Sequence, residues 1–127
     1  MQIGVLGTGM VGQALASRLA ELGHEVRMGA RERDNETAHA WAARAAENAS
    51  AGDFAAAAIL GEVVINATAG ASSLDALKPA GSRALAGKVL IDVASPLTRV
   101  GADTTLTVVN DDSLGEPIQR AFPDTRV

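Results

Sequence analysis

The chain of 127 residues fits one domain, and its 47% hydrophobic content is enough to bury a core. A net charge of -4 excludes the basic footprint of a nucleic-acid-binding surface, and the lack of cysteine excludes disulfides and thiolate metal sites. Aromatic residues make up only 2%, so much of the apolar content is alanine, which favours close helix packing over bulky layers.

Residues 1–6 read as a buried strand carrying Ile3, Val5 and Leu6. Residues 10–22 read as a helix, because Val11, Leu15, Leu19 and Leu22 recur at helical spacing. Gly23 stops it, and residues 25–28 form a second strand. This strand–helix–strand opening implies a parallel sheet. Asp34 or Asn35 can cap a third element, a helix over residues 35–48. A short strand is expected near residues 50–52, followed by a helix over 54–60 capped by Asp53. The β-branched run "VVINA" (63–67) reads as a central strand, residues 72–77 as a short helix, and "KVLIDV" (88–93) as another buried strand ended by Pro96. Beyond it, residues 98–105 read as a loop containing Gly101, and 106–109 as a short strand. Residues 113–121 read as a helix capped by Asp112 or Ser113, with Pro117 near its start, where proline costs least. Phe122 and Pro123 break that helix, and residues 125–127 look like the opening of a further strand. The fold class expected is α/β, a doubly wound, mainly parallel sheet in three α/β/α layers, with residues 1–127 as one domain.

No basic segment precedes the apolar N-terminus, and Arg18 and Glu21 follow within the first helix, so no signal peptide is expected. The longest uncharged apolar run, residues 54–61, is far short of the roughly 20 residues a membrane span needs. A reducing cytoplasm suits the cysteine-free composition, and neither nucleic acid nor membrane is an expected partner.

The first turn carries the chemistry. Gly7, Gly9 and Gly12 are spaced G-x-G-x-x-G between a strand and a helix, the context in which that fingerprint binds a dinucleotide. Gly7 permits the tight turn, Gly9 lets a pyrophosphate approach the backbone, and Gly12 lets helix and strand pack closely. The helix start, at Met10 and Val11, offers free N–H groups and a partial positive charge, and Thr8 reaches the same phosphate region. The second strand then selects the cofactor. NAD sites place an acid at its end, whereas a nearby Arg accommodates a 2′-phosphate. Here the sequence runs Met28-Gly29-Ala30-Arg31, with no acid at that position. Arg31 can pair with a 2′-phosphate and stack on adenine, and Arg33 adds charge although Glu32 and Asp34 flank it. NADP(H) is therefore the expected small-molecule partner, and residues 1–127 read as one NAD(P)-binding domain of Rossmann type.

The stretches "IGVLGTGMVGQALASRLAELGHEVRMGAR" and "GKVLIDVASPL" resemble the NADP oxidoreductases that depend on the deazaflavin coenzyme F-420. "GEVVINATAGASSLDAL" and "DDSLGEPIQRAFPDTRV" are similar to an actinobacterial-type branch of that group, so the resemblance covers nearly the whole chain. It implies NADPH binding and hydride transfer between nicotinamide and a deazaflavin or flavin-type ring. Such a transfer needs no general acid or base, so no catalytic side chain is expected; the protein holds two rings face to face. The resemblance assigns the pyrophosphate to residues 7–11 and the 2′-phosphate to Ala30 and Arg31. It assigns the nicotinamide end to two loops, residues 68–71 and 94–97, with Ala67, Thr68, Ala69, Ala94, Ser95 and Pro96 as the candidate cofactor contacts. Ala30 stands where relatives often carry Ser or Thr, which removes one hydroxyl contact. Ser95 stands where they often carry Asn before the proline. Relatives continue beyond the strand opening at Thr125 into segments that help form the second-cofactor pocket and a homodimer. An NADP(H)-binding or sensing module without catalysis, and a reductase domain acting on another small substrate, stay open as alternatives.

His24 reads as a capping or surface residue and His39 as solvated; neither has metal-ligand neighbours in sequence. Trp41 is expected to seal its helix against the sheet. Asn66 sits at a parallel strand's carboxyl end, where open sheets bind ligands. It serves either the ligand or the loop backbone, while Asp92 reads as structural.

Overall fold

The computed structural model describes residues 1–106 and 113–127. Its centre is a five-stranded sheet built from β1 (Gln2–Leu6), β2 (Glu25–Ala30), β3 (Ala49–Asp53), β4 (Val63–Asn66) and β5 (Val89–Asp92). All pairings are parallel and the order is β3-β2-β1-β4-β5. The chain winds outward from β1 to β3, then crosses back to place β4 on the other side of β1. The switch point therefore lies between β1 and β4.

The period-two pleat sorts the side chains to two faces. Ile3, Val5, Val26, Met28 and Ile65 point to one face and are buried under α1 (Met10–Glu21) and α2 (Glu36–Arg44) through Ala16, Ala20, Ala38 and Trp41. Leu6, Val64 and Leu90 point to the other. There α3 (Phe54–Leu60), α4 (Ser73–Leu77), α5 (Gly81–Leu85) and α6 (Gly115–Ala121) close the second core with Ala57, Leu77, Leu85 and Ile118. These are the three α/β/α layers of a Rossmann-type domain. Trp41 is 3% exposed and sits in the core cluster with Val26 and Met28, so it seals α2 against the sheet; its indole N–H also donates to Ser17 Oγ at 3.0 Å, tying α2 to α1.

Small residues set the layer spacing. A Cβ on Gly4 would lie 2.2 Å from the Ala57 carbonyl oxygen, and one on Gly29 would lie 2.8 Å from Ala57 Cβ. Helix α3 thus rests directly on the backbones of β1 and β2. Its start is capped by Asp53, which accepts from Ala56 N–H at 2.7 Å. Its last carbonyls receive the Lys88 ammonium, which donates to Ala58 O at 2.6 Å and Ile59 O at 3.1 Å. A cation there also complements the helix dipole, even though desolvation lowers the pKa of Lys88 from its ordinary value.

Several boundaries depart from the sequence reading. Helix α2 ends at Arg44 rather than at Asn48, because Asn48 is used elsewhere: its Nδ2 donates to Ala20 O and His24 O, tying the entry of β3 to the turn after α1. Residues 98–105 are not a loop. They belong to a hairpin of β6 (Leu97–Val100) and β7 (Asp103–Leu106), whose turn uses Gly101 at φ +64°. Helix α5 went unread, since "GSRAL" is too short to show a period. Helix α6 starts at Gly115, and the Ser113 N–H donates to the Glu116 carboxylate. Residues 107–109, expected to continue a strand, and Asp112, an expected cap, lie outside the described residues. The strand opening at Thr125 is present: Arg126 pairs in parallel with Val89, its N–H donating to Lys88 O at 2.9 Å and its carbonyl accepting from Leu90 N–H at 2.8 Å.

Because Gly4 leaves no room for a methyl group against backbone, Gly4→Ala is expected to lower the unfolding free energy by about 1–3 kcal/mol. Urea denaturation followed by circular dichroism measures this; an unchanged midpoint would mean α3 does not rest on β1 as described.

Candidate functional site

The cleft at the carboxyl ends of the strands is assembled from three loops in the spatial order of the sheet. From β2 come Ala30 and Arg31, from β1 come Gly7, Thr8 and Gly9, and from β4 come Ala67, Thr68 and Ala69. Asn35, Phe54, Ser72 and Ala76 complete the lining of a cavity of about 330 Å³. This is the crevice in which open α/β sheets take up ligands.

Each glycine of the turn has a distinct structural reason. Gly7 adopts φ +118°, and a Cβ there would lie 2.5 Å from the Ala67 carbonyl oxygen. Gly12 packs against the Gly7 carbonyl, at 2.3 Å from a built Cβ. Gly9 differs: a Cβ there would meet nothing within 4 Å. Its missing side chain serves no internal packing and leaves space open to the cleft. Gly9 is the N-cap of α1, no side chain caps that helix, and its first turn holds no acidic residue. The first backbone bond runs from Gln13 N–H to Gly9 O at 3.0 Å, so the N–H groups of Met10, Val11 and Gly12 have no acceptor among the described residues. Gln13 also donates from Nε2 to Thr8 O at 2.8 Å, which pins the turn from behind. The combination of three free donors, an unneutralised helix dipole and open space is one that an anion fills.

The two arginines differ. Arg31 is exposed, lines the cleft and has no polar partner among the described residues. Arg33 does not line it. Its guanidinium reaches Asp53 at 3.5 Å, and its backbone carbonyl contacts His39 Nε2 at 2.8 Å. His39 is thus a brace for the loop after β2. His24 lies at the opposite end of the sheet, against the Met1 amino group.

The loops after β4 and β5 are joined. A Cβ on Gly70 would lie 2.0 Å from the Ser95 carbonyl oxygen and 2.7 Å from Pro96 Cα, so these backbones touch. Beneath them Asn66 is fully buried. Its Nδ2 donates to Ser73 Oγ at 2.9 Å and Asp92 Oδ1 at 2.8 Å, while its Oδ1 accepts from Thr68 Oγ1 at 2.7 Å and Thr68 N–H at 3.3 Å. Asp92 also accepts from Ala94 N–H at 3.3 Å. Of the two readings of Asn66, service to the loop backbone is the one realised, and Asp92 is structural as expected. Ser95 is exposed, and Ala94 and Pro96 face a larger open cleft beside β5. Nothing in the sequence signals that Phe54, Ser72 and Ala76 line the cleft. Asn35 was read only as a cap, a role it fulfils by accepting from Ala38 N–H at 3.0 Å.

A glycine-lined turn feeding an uncapped helix at the switch point of a parallel sheet defines the class: this is a Rossmann-type α/β domain. Its family follows from comparison. Residues 2–96 match the family described as NADP oxidoreductase, coenzyme F420-dependent, and the chain belongs to that family. Its structure is similar to that of a putative F420-dependent NADP reductase from Arthrobacter sp. FB24, with 45% identity and a TM-score of 0.90, over 98% of this chain and 60% of that one. It is also similar to a Streptomyces aurantiacus imine reductase (30% identity, TM-score 0.62, 75% of this chain and 32% of that one). A third similar structure is Synechocystis arogenate dehydrogenase (26% identity, TM-score 0.62, 80% and 36%). The chain thus spans three fifths of the length of the Arthrobacter protein and about a third of the other two. No curated protein matches it.

Serine at an N-cap accepts a hydrogen bond from the first helical turn. Gly9→Ser, placed in open space, is therefore expected to change the unfolding free energy by no more than roughly a few tenths of a kcal/mol, in the stabilising direction. Thermal and urea unfolding measure this, and a clear loss of stability would show that Gly9 is a packing glycine.

Proposed function

We propose that this domain binds NADP(H) and supports hydride transfer between its nicotinamide and a deazaflavin or flavin-type acceptor. The observation that carries the reading is one cleft that holds a helix start without a side-chain cap at one point and, a strand away, a guanidinium with no polar partner among the described residues. Family membership supports the same reading. In it, Gly7, Thr8, Gly9, Met10, Val11 and Gly12 hold the pyrophosphate, mostly through backbone N–H groups.

Arg31 takes the 2′-phosphate, and Ala30 lets that group approach the end of β2. Arg33, already paired with Asp53, supplies field rather than a direct bond. Ala67, Thr68 and Ala69 line the nicotinamide side, and Ala94, Ser95 and Pro96 back them from the next loop. The cofactor, when bound, supplies the hydride. The protein fixes the dinucleotide's position and withholds competing groups, so no proton donor is required of the chain. The acceptor's place is the open side of the cleft toward Ala94 and Pro96.

Titration of the chain with NADPH and NADH, by fluorescence or calorimetry, tests the proposal: NADPH is expected to bind the more tightly, and equal or absent binding of both would overturn it. Loss of the charge-assisted bonds in Arg31→Ala is expected to weaken NADPH by about 10- to 100-fold while leaving NADH within a few-fold. Gly9→Ser is expected to fold normally and yet lose at least about tenfold in affinity for both dinucleotides, because its hydroxyl occupies the pyrophosphate's donors.

A further inference from the structure

We infer that Asn66 is a positioning residue for the nicotinamide half of the cofactor, acting through Thr68 and Asp92. The inference rests on the NADP(H) reading and concerns a residue that touches no ligand, being fully buried.

The chemistry of its neighbours dictates an amide at this position. On one side stands the Asp92 carboxylate, which ionised can only accept, so it must face the amide nitrogen, 2.8 Å away. On the other side stands the Thr68 backbone N–H, which can only donate, so it must face the amide oxygen, at 3.3 Å. The hydroxyls of Thr68 and Ser73 adapt to either partner: Thr68 Oγ1 lies 2.7 Å from Asn66 Oδ1, and Ser73 Oγ lies 2.9 Å from Nδ2. No buried polar side-chain atom among the described residues is left without a partner. A carboxylate at position 66 would confront Asp92, and an alkyl group would orphan donors and acceptors on both sides.

The consequence reaches the ligand cleft by two routes. Thr68 lines that cleft, and its hydroxyl and N–H both turn inward to Asn66. Asp92, held by Asn66, in turn accepts from Ala94 N–H at the start of the loop whose Ser95 and Pro96 backbones press on Gly70. One buried amide therefore fixes the relative placement of the loops after β4 and β5. The adenosine side is built by other means: Arg31 and Ala30 follow β2, and Asn35 and Phe54 begin α2 and α3. The cleft has two halves with separate supports, and Asn66 serves only one.

Two ligands separate the halves: NADPH, and adenosine 2′,5′-bisphosphate, which has no nicotinamide. Asn66→Asp is expected to weaken NADPH by about tenfold or more, through repulsion with Asp92, and to leave the bisphosphate within about twofold. The exchanged pair, Asn66→Asp with Asp92→Asn, removes the repulsion and lets the new carboxylate accept from Thr68, Ser73 and the nitrogen of the new amide. One Asp92 oxygen, Oδ1, accepts from both Asn66 and Ala94 N–H in the wild type, so the new amide keeps the Ala94 bond only by turning its oxygen toward that N–H. The pair is expected to recover part of the lost NADPH affinity.

Thr68→Val, which cuts one arm of the network at a half-buried position, provides the measurement if Asn66→Asp does not fold. It is expected to weaken NADPH by roughly 3- to 10-fold with the bisphosphate unchanged. NADPH affinity unaltered in both Asn66→Asp and Thr68→Val, equal losses for the two ligands, or an exchanged pair that folds without recovery would each overturn the inference. Binding of neither ligand by the wild-type chain would instead remove the NADP(H) reading on which it stands. Wild-type binding of the bisphosphate no weaker than that of NADPH would leave the adenosine side standing and remove the role of Asn66.

Discussion

The structure depends on one close approach: the Gly7 turn lies directly against the Ala67 backbone. With φ at +118° and no side chain, Gly7 lets β1 end within contact of the chain leaving β4, and Gly12 lets α1 press on the same turn. A Cβ at either position would collide with main-chain oxygen, which cannot swing aside as a side chain can. The switch point, the start of α1 and the loop after β4 thus converge in a space that only hydrogen atoms fill. Gly9, between the two, is free of this constraint, so the same triplet both builds the crevice and keeps its mouth open.

Where side-chain pattern or backbone stereochemistry governs an element, it was readable in advance. β1, α1, β2, α3, β4 and β5 follow from apolar periodicity and from Gly23 and Asp53 as boundaries. What escaped was decided by tertiary partners. α2 stops at Arg44 because Asn48 is drawn to the carbonyls of Ala20 and His24, a contact with no local signature. The β6–β7 hairpin has a polar, Thr-rich composition and stands apart from the main sheet, so no alternation announces it. In the site, Gly7, Gly9 and Arg31 were visible because each departs from what a plain strand or helix would carry. Phe54 was not, since it also reads as an ordinary helix residue. The difference between the arginines came only from geometry, which gives Arg33 to Asp53 and leaves Arg31 without a polar partner among the described residues.

The electrostatics of the cleft are economical. A net-acidic chain presents a local positive site through helix donors and one guanidinium that have no polar partner among the described residues. The Asp92 carboxylate, beneath the loops after β4 and β5, accepts from Asn66 and Ala94. Its charge is engaged by donors below the cleft, away from the uncapped helix start.

Helix α3 lies on glycine. Ala57 meets Gly4 and Gly29, and a Cβ on Gly61 would stand 2.6 Å from Gly4 nitrogen. Gly4 and Gly61 meet main-chain atoms, which no exchange of side chains can shrink, so these two positions are closed to any larger residue. Only Gly29 meets a side chain of the helix, the Ala57 methyl, so substitutions at 29 and 57 are expected to be non-additive. Phe54, at the cleft end of the same helix, consequently inherits an address that single substitutions cannot gradually revise.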